Sequence, residues 1–100
     1  MLPKRNSKRH RALIAVLIRA REEARKSQRD VSVDVGMSIN FAHLVESGER
    51  MLSAIELPDY AAALDLTAGE LIERMLAAEK SEAPVPPKVD GRRKRSQQKR

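Results

Sequence analysis

The chain has 100 residues, enough for one small domain, and 20 Lys/Arg against 14 Asp/Glu give it a formal net charge of +6. Because it contains no cysteine, a disulfide framework and a cysteine metal site are excluded. The sequence has no apolar run of about 18 residues to span a membrane and no signal-peptide pattern at its start, so we expect a cytoplasmic protein.

The charge is concentrated at the two ends of the chain. Residues 1–27 contain nine Lys/Arg and two Glu, and residues 81–100 contain seven Lys/Arg and two acidic residues. Residues 28–80 contain four Lys/Arg and ten Asp/Glu. A nucleic-acid partner would therefore be attracted through its phosphates by the ends of the chain more than by its centre.

Residues 1–9 are predicted to form a flexible basic arm, since Pro3, Asn6 and Ser7 oppose a helix and the Lys/Arg residues repel one another. Two interpretations remain open for this arm. It contacts DNA phosphates or a minor groove, or it serves as a solubilising tail.

A first helix is expected from about His10 to Arg25, because small and branched apolar residues recur there at helical spacing. The inward stripe consists of Leu13, Leu17, Ala20 and Ala24, widened by Ile14 and Ile18.

The segment 28–47 predicts two short helices around a tight corner. Val31 and Val35 lie four apart on one helical face, and Gly36 follows where a helix end favours a left-handed residue. Met37 is expected to be buried in this corner. Ser27 and Ser38 are good N-caps for the helices before and after the corner. This order is that of a helix-turn-helix, whose second helix lies in the DNA major groove.

The residues Q-R-D-V-x3-V-G-M-S, followed by F-A-x2-V-E-S-G-E-R, resemble the phage-repressor (Cro/repressor, XRE-type) helix-turn-helix family. The similarity extends from about Leu13 to Leu76. It implies an all-α, five-helix, lambda-repressor-like DNA-binding domain over residues 10–80. It also implies a homodimer, with contacts often supplied by the C-terminal helices, that binds a palindromic operator in double-stranded DNA.

The chain departs from the family at two places. Where the family has an Ala-Gly-Leu-Thr-Gln-like link, residues 24–28 read Ala-Arg-Lys-Ser-Gln, so we expect a more exposed link and a slightly longer first helix. Ser32 stands where the family prefers alanine. Since a serine hydroxyl can bond back to a carbonyl one turn earlier, we expect a small stability cost and an unchanged fold.

The second helix of the motif, residues 38–47, is the predicted reading element. By the resemblance, positions 39, 40, 43 and 44 read bases and Gln28 contacts a phosphate. Asn40 can bond adenine N6 and N7 together, Ile39 and Leu44 can pack on thymine methyls, and His43 can donate to a guanine or a phosphate. With Ala42 and Val45 facing inward, the predicted DNA-contacting residues are Gln28, Arg29, Ser38, Ile39, Asn40, Phe41, His43, Leu44, Ser47 and Arg50.

By the same resemblance, Arg21 and Glu46 form an ion pair that orients the second helix of the motif more than it stabilises the fold. Arg50, in the following loop, is interpreted either as a phosphate contact or as a solvated side chain.

A fourth helix is predicted from Ser53, with Glu56 completing a capping box and Pro58 causing a slight kink in its second turn. A fifth is predicted from Thr67, with Glu70. The expected apolar positions of these helices are Ile55, Leu57, Tyr60, Ala61, Leu64, Leu71, Ile72, Met75 and Leu76. Residues 81–100 are predicted to be a disordered Pro-rich linker and basic tail.

The favoured interpretation is a sequence-specific DNA-binding transcriptional regulator, with a repressor as the expected type. The alternative is a helix-turn-helix domain used for protein interaction, as in an antitoxin or an assembly partner. The acidic segment 28–80 and the apolar residues of the reading helix favour that alternative. Two isolated histidines, no cysteine and no Gly-rich phosphate loop predict no enzyme, no cofactor and no metal site.

Overall fold

The computed structural model describes residues 7–82, which form five α-helices and, within that range, no strand. The predictions for the first six residues of the arm and for the linker and tail from residue 83 onward lie outside the described residues. Ser81 and Glu82, which were predicted to belong to the linker, are helical. The helices are α1 (Lys8–Glu23), α2 (Gln28–Val35), α3 (Phe41–Glu46), α4 (Leu57–Ala63) and α5 (Ala68–Glu82).

The core lies where α1 and α5 pack side by side and α2, α3 and α4 close over them. Leu17 of α1, Val31 of α2 and Leu71 of α5 are fully buried there, together with Tyr60 of α4. Each comes from an apolar stripe at helical spacing, which is why the sequence pattern predicted all five helices. The all-helical prediction is confirmed for the described residues.

The first helix begins two residues earlier than expected. The Ser7 hydroxyl accepts a hydrogen bond from the His10 amide at 3.1 Å and caps α1. Lys8 and Arg9, which the sequence placed in the arm, are therefore helical. The helix also ends at Glu23, so it is not lengthened toward Arg25 as we expected.

Each of α1 to α4 is followed within two residues by a residue of positive φ. Gly36 (φ 84°) and Gly48 (φ 87°) adopt this conformation without steric cost, whereas Arg25 (φ 60°) and Asp65 (φ 64°) carry a Cβ there. The two amides that follow each helix donate back to its last turn, and the Gly36 amide, for example, donates to the Val33 carbonyl at 2.9 Å. Arg25 thus occupies a position that favours glycine.

The link between α1 and α2 exposes Arg25 and Ser27, as predicted, but its Lys26 side chain is held by hydrogen bonds, which was not predicted. The Lys26 ammonium donates to Asp34 Oδ2 at 2.9 Å and to the Ala63 carbonyl at 2.6 Å. It thereby joins α2 to the carboxyl end of α4, where a cation is favoured. The hydrogen bond to Asp34 raises the pKa of Lys26 above its ordinary value. A long aliphatic stem lets this lysine cover the space of an apolar residue while its charge finds partners.

The α4 region differs from the prediction in two respects. Ser53 and Glu56 exchange the expected reciprocal hydrogen bonds, at 2.9 and 3.2 Å, but the helix itself begins at Leu57. Pro58 therefore lies in the first turn, where its missing N–H has no intrahelical role and gives no reason for a kink. Ile55 falls in the preceding turn and is 88% exposed, so its assignment to the apolar set is wrong.

The α5 helix begins with the predicted exchange between Thr67 and Glu70, at 2.9 and 3.1 Å. Leu71 enters the core, whereas Ile72 and Leu76 remain 39% and 43% exposed. Their positions on the outer side of α5 leave an apolar strip facing solvent. Among residues 7–82, no helix has the length and apolar character needed to cross a membrane.

Candidate nucleic-acid interface

The α3 helix is shorter than the predicted reading helix. It begins at Phe41, because Ser38, Ile39 and Asn40 form a turn in which the Phe41 amide donates to the Ser38 carbonyl at 2.9 Å. Asn40, not Ser38, occupies the N-cap position, and its side chain does not cap the helix. The prediction that Ser38 caps this helix is therefore wrong, and the Asn40 amide is not used for capping.

Phe41 does not face outward. Its ring is 3% exposed and packs against Tyr60, with 5.9 Å between ring centroids and 56° between ring planes. Phe41 lies four residues before Val45, which places both on the same buried face of α3. The prediction that Phe41 contacts DNA is inconsistent with this burial.

The remaining predicted readers lie along one outer surface, formed by the 38–40 turn and the outside of α3. Ile39 is 53% exposed, Asn40 and His43 are exposed one turn apart, and Leu44 is half-buried. Met37 was expected to be buried, but it is exposed, directly after the left-handed Gly36. The exposed members of the predicted set are Arg29, Ser38, Ile39, Asn40, His43 and Ser47.

The carboxyl end of α3 is held by a buried charged cluster, and the predicted Arg21–Glu46 ion pair is part of it. Arg21 Nε donates to Glu46 Oε2 at 2.7 Å, and Arg21 Nη2 donates to Glu46 Oε1 at 3.2 Å. The Glu46 side chain is 5% exposed. Its hydrogen bonds raise the pKa of Arg21 above the ordinary value. This two-pronged contact fixes the end of α3 to α1.

Gln28 points into the same cluster instead of lying free on the surface. Its Nε2 donates to Glu46 Oε1 at 2.9 Å. An amide nitrogen carries two hydrogens, so one remains available to a phosphate oxygen. The expected phosphate contact of Gln28 is therefore limited to that second hydrogen and to the amino end of α2.

The amino end of α3 is held by Ser32, which the sequence had assigned a minor role. As expected, its hydroxyl donates to the Gln28 carbonyl one turn earlier, at 3.0 Å. The same oxygen also accepts a hydrogen bond from the Ala42 amide at 2.8 Å. The only signal for this contact in the sequence is a serine at a helix-contact position where the resemblance suggests alanine.

Arg50 is engaged within the protein. Its guanidinium donates to Glu56 Oε1 at 3.1 Å and to the Met51 carbonyl at 2.6 Å, and it lies 5.1 Å from the centre of the Phe41 ring. The hydrogen bond from Arg50 lowers the pKa of Glu56 below its ordinary value. A phosphate contact by Arg50 would require it to leave these partners, and neither of our sequence interpretations anticipated them.

The surface has the chemistry of hydrogen bonding and apolar contact, with little positive charge. Arg29 is the sole Lys or Arg between residues 28 and 47. Within residues 7–82, no group of three His, Asp or Glu side chains is arranged to hold a metal ion.

No protein-family model matches this sequence, and no curated protein matches it at a significant level.

Proposed function

We propose that this protein is a sequence-specific DNA-binding transcriptional regulator of the repressor type. In this proposal α2 and α3 are the helix-turn-helix of a lambda-repressor-like domain. The observation that carries the proposal is the way in which α3 is held by its neighbouring helices. Both of its ends are tied to neighbouring helices by buried hydrogen bonds, while its outer surface is exposed and makes few contacts of its own.

A helix that is fixed at both ends suits base recognition because a base-reading side chain must be held in a fixed position relative to the groove. Asn40 is the best candidate for a base-reading side chain on this surface. It is exposed, it precedes the first turn of α3, and its amide is not spent on capping the helix. An asparagine in that position can bond adenine N6 and N7 at once, a pattern that no other base presents in the major groove.

The affinity would come mainly from the cationic ends of the chain. Residues 28–80 carry four Lys/Arg and ten Asp/Glu, so the reading surface itself attracts phosphates weakly. In this proposal the ends supply sequence-independent phosphate contacts, and α3 supplies discrimination.

We further propose that the protein acts as a homodimer on a palindromic operator. Ile72 and Leu76 lie one turn apart on the outer side of α5 and are exposed. A second copy of α5 would cover both, because a two-fold interface places the same apolar strip against itself.

The direct test is selection of bound sequences from a random DNA pool at about 150 mM salt, followed by affinity measurements on the selected site and on each single-base variant. Asn40→Ala is expected to cost about 1–3 kcal/mol on the best site and to relax preference at one base pair. Arg29→Ala is the matched control, since removal of an exposed cation should weaken all sequences alike. Unchanged affinities for every site variant in both Asn40→Ala and Ile39→Ala would rule out base reading by this surface.

The second candidate function is protein interaction through the same surface. It is favoured by exposed apolar side chains on α2 and in the corner before α3, namely Val33, Met37 and Ile39. A group of this kind often marks a protein contact. Failure to select any DNA motif, combined with loss of a partner upon Ile39→Asp, would support this candidate over DNA binding.

A further inference from the structure

The amino end of α3 requires hydrogen-bond acceptors from outside the helix. The first amides of a helix have no acceptor within the helix, and a helix of six residues has few internal bonds to compensate. The Phe41 amide is satisfied by the Ser38 carbonyl. The next amide, of Ala42, is fully buried, and the side chain at the N-cap, Asn40, does not reach it.

Ser32 of α2 supplies the acceptor for the Ala42 amide of α3. Its hydroxyl oxygen accepts from the Ala42 amide at 2.8 Å, and its hydrogen is committed to the Gln28 carbonyl at 3.0 Å. These two bonds fix the rotation of the hydroxyl, so its lone pair is held toward Ala42. Ser32 is itself 0% exposed, and solvent has no access through it to replace the bond.

One face of α2 therefore forms hydrogen bonds with both ends of α3. Gln28 and Ser32 are one helical turn apart. Gln28 contacts Glu46 at the last residue of α3, and Ser32 contacts Ala42 in its first turn. Two contacts along a short helix fix its rotation and its position along its own axis. Without the Ser32 contact, α2 would bond α3 only at Glu46, and the first turn of α3 would be held by the packing of Phe41 and Ala42.

We infer that Ser32 is a positioning residue for sequence readout, which caps α3 from the neighbouring helix and so holds Ile39 and Asn40 in register with the DNA bases. The inference rests on the proposed function for the DNA part. The capping part rests on the contacts alone and is open to a separate measurement.

The first measurement is amide hydrogen exchange by NMR on the full chain without DNA. Ser32→Ala is expected to speed exchange at Ala42 about tenfold more than at other core amides, as removal of one buried hydrogen bond should. Ser32→Cys, whose sulfur is a weaker acceptor of similar size, should give an intermediate rate. Val31→Ala is the matched control, because it removes buried volume at the adjacent position of α2 and leaves the hydroxyl in place.

The second measurement is discrimination between the selected site and its variant at the base pair read by Asn40. Ser32→Ala should reduce this ratio about tenfold, the lower part of what one bidentate contact contributes, and should leave the salt dependence unchanged. Val31→Ala should lower thermal stability and keep the ratio. If Ala42 exchange in Ser32→Ala follows the global change, the cap is refuted. If exchange accelerates selectively but discrimination is retained, the positioning role is refuted. A protein that selects no DNA refutes the proposed function and the readout role, and the exchange data still decide the cap.

Discussion

Single residues in this protein act mainly through backbone conformation and through the satisfaction of buried polar groups. Arg25 adopts a left-handed conformation that costs a residue with a Cβ on the order of 1–2 kcal/mol. Tyr60 carries a hydroxyl for which the described residues provide no hydrogen-bond partner. Both are places where substitution should increase stability, which is uncommon for natural sequences at buried or constrained positions.

Arg25→Gly is expected to stabilise the fold by about 1 kcal/mol, because glycine removes the strain at φ 60°. The greater conformational entropy of glycine in the unfolded chain cancels part of this gain. Urea unfolding monitored by circular dichroism measures the change. Arg25→Ala is the control, since it removes the same charge but keeps the Cβ. Equal stabilities of the two variants would show that strain at this position is negligible.

Tyr60→Phe is expected to leave the free energy of unfolding unchanged or to raise it by up to about 1 kcal/mol, because an unsatisfied buried hydroxyl is removed while ring packing against Phe41 is kept. Burial of this hydroxyl also raises the pKa of Tyr60 above its ordinary value, because removal from water disfavours the ionised form. Tyr60→Leu, which removes the ring, should be clearly destabilising. A decrease of more than about 1 kcal/mol in Tyr60→Phe would mean that the hydroxyl is bonded.

At the scale of elements, the short helices are defined by their ends. Side chains of the residue pairs Ser27–Asp30, Ser53–Glu56 and Thr67–Glu70 exchange hydrogen bonds with each other's backbone amides at the starts of α2, α4 and α5. Such local contacts matter because helices of six to eight residues gain little from their own propensity. Since one partner in each pair is a carboxylate, the integrity of these ends depends on pH.

Glu56 provides the pH prediction. Its hydrogen bond with Arg50, followed by that with the Ser53 amide, lowers its pKa below the ordinary value of 4.5. A carboxylate with a depressed pKa in the folded state contributes stability above its unfolded pKa, and this contribution disappears as the pH falls through the folded pKa. The melting temperature should therefore fall on acidification below about pH 4.5 less steeply in Glu56→Gln than in the parent. Glu73→Gln, which removes a carboxylate charge from the exposed side of α5, is the control. Parallel pH profiles for Glu56→Gln and the parent would contradict the assignment.

For the whole molecule, positive charge is distributed unevenly along the chain. In the proposed function the helical body would carry the reading surface, and most of the Lys and Arg residues lie toward the ends of the sequence. The contact between Arg9 and Glu79, with 2.8 Å between Nε and Oε1, joins the start of α1 to the last turns of α5. The start of α1 and the last turns of α5 therefore lie on the same side of the helical body.

Deleting residues 1–6, or residues 92–100, is expected to weaken binding to every DNA sequence and to lower the log–log salt slope by about 0.9 for each phosphate that the shortened chain no longer neutralises. The first deletion stops before Ser7, because Ser7 caps α1 and its removal would confound folding with binding. Affinity measured across a salt series on the selected site and on an unrelated sequence gives both slopes. A slope that either deletion leaves unchanged would mean that the corresponding end does not contact DNA.

The sequence by itself determined the features that depend on neighbours within one or two helical turns. The five helices follow from apolar periodicity, the starts of α2 and α5 from their capping residues Ser27 and Thr67, and the corner after α2 from Gly36. The spacing of four between Phe41 and Val45 is also a local signal for the inner face, but the sequence-based prediction missed it and wrongly placed Phe41 among the DNA-contacting residues. The resemblance to a known family added the Arg21–Glu46 contact, which spans 25 positions and leaves no local trace.

Only the tertiary structure decided which polar groups meet across elements. The Ser32 hydroxyl reaches the Ala42 amide, Lys26 reaches the Ala63 carbonyl, and Arg50 turns back to Glu56 over the Phe41 ring. Each contact depends on the angle and rotation at which two helices or a loop pack, and these are set by the shapes of all the side chains between them. A displacement of less than about 1 Å decides whether a hydrogen bond is made or broken. Sequence spacing alone does not fix positions between separate elements to that precision, so these contacts became visible only when the helices were in place.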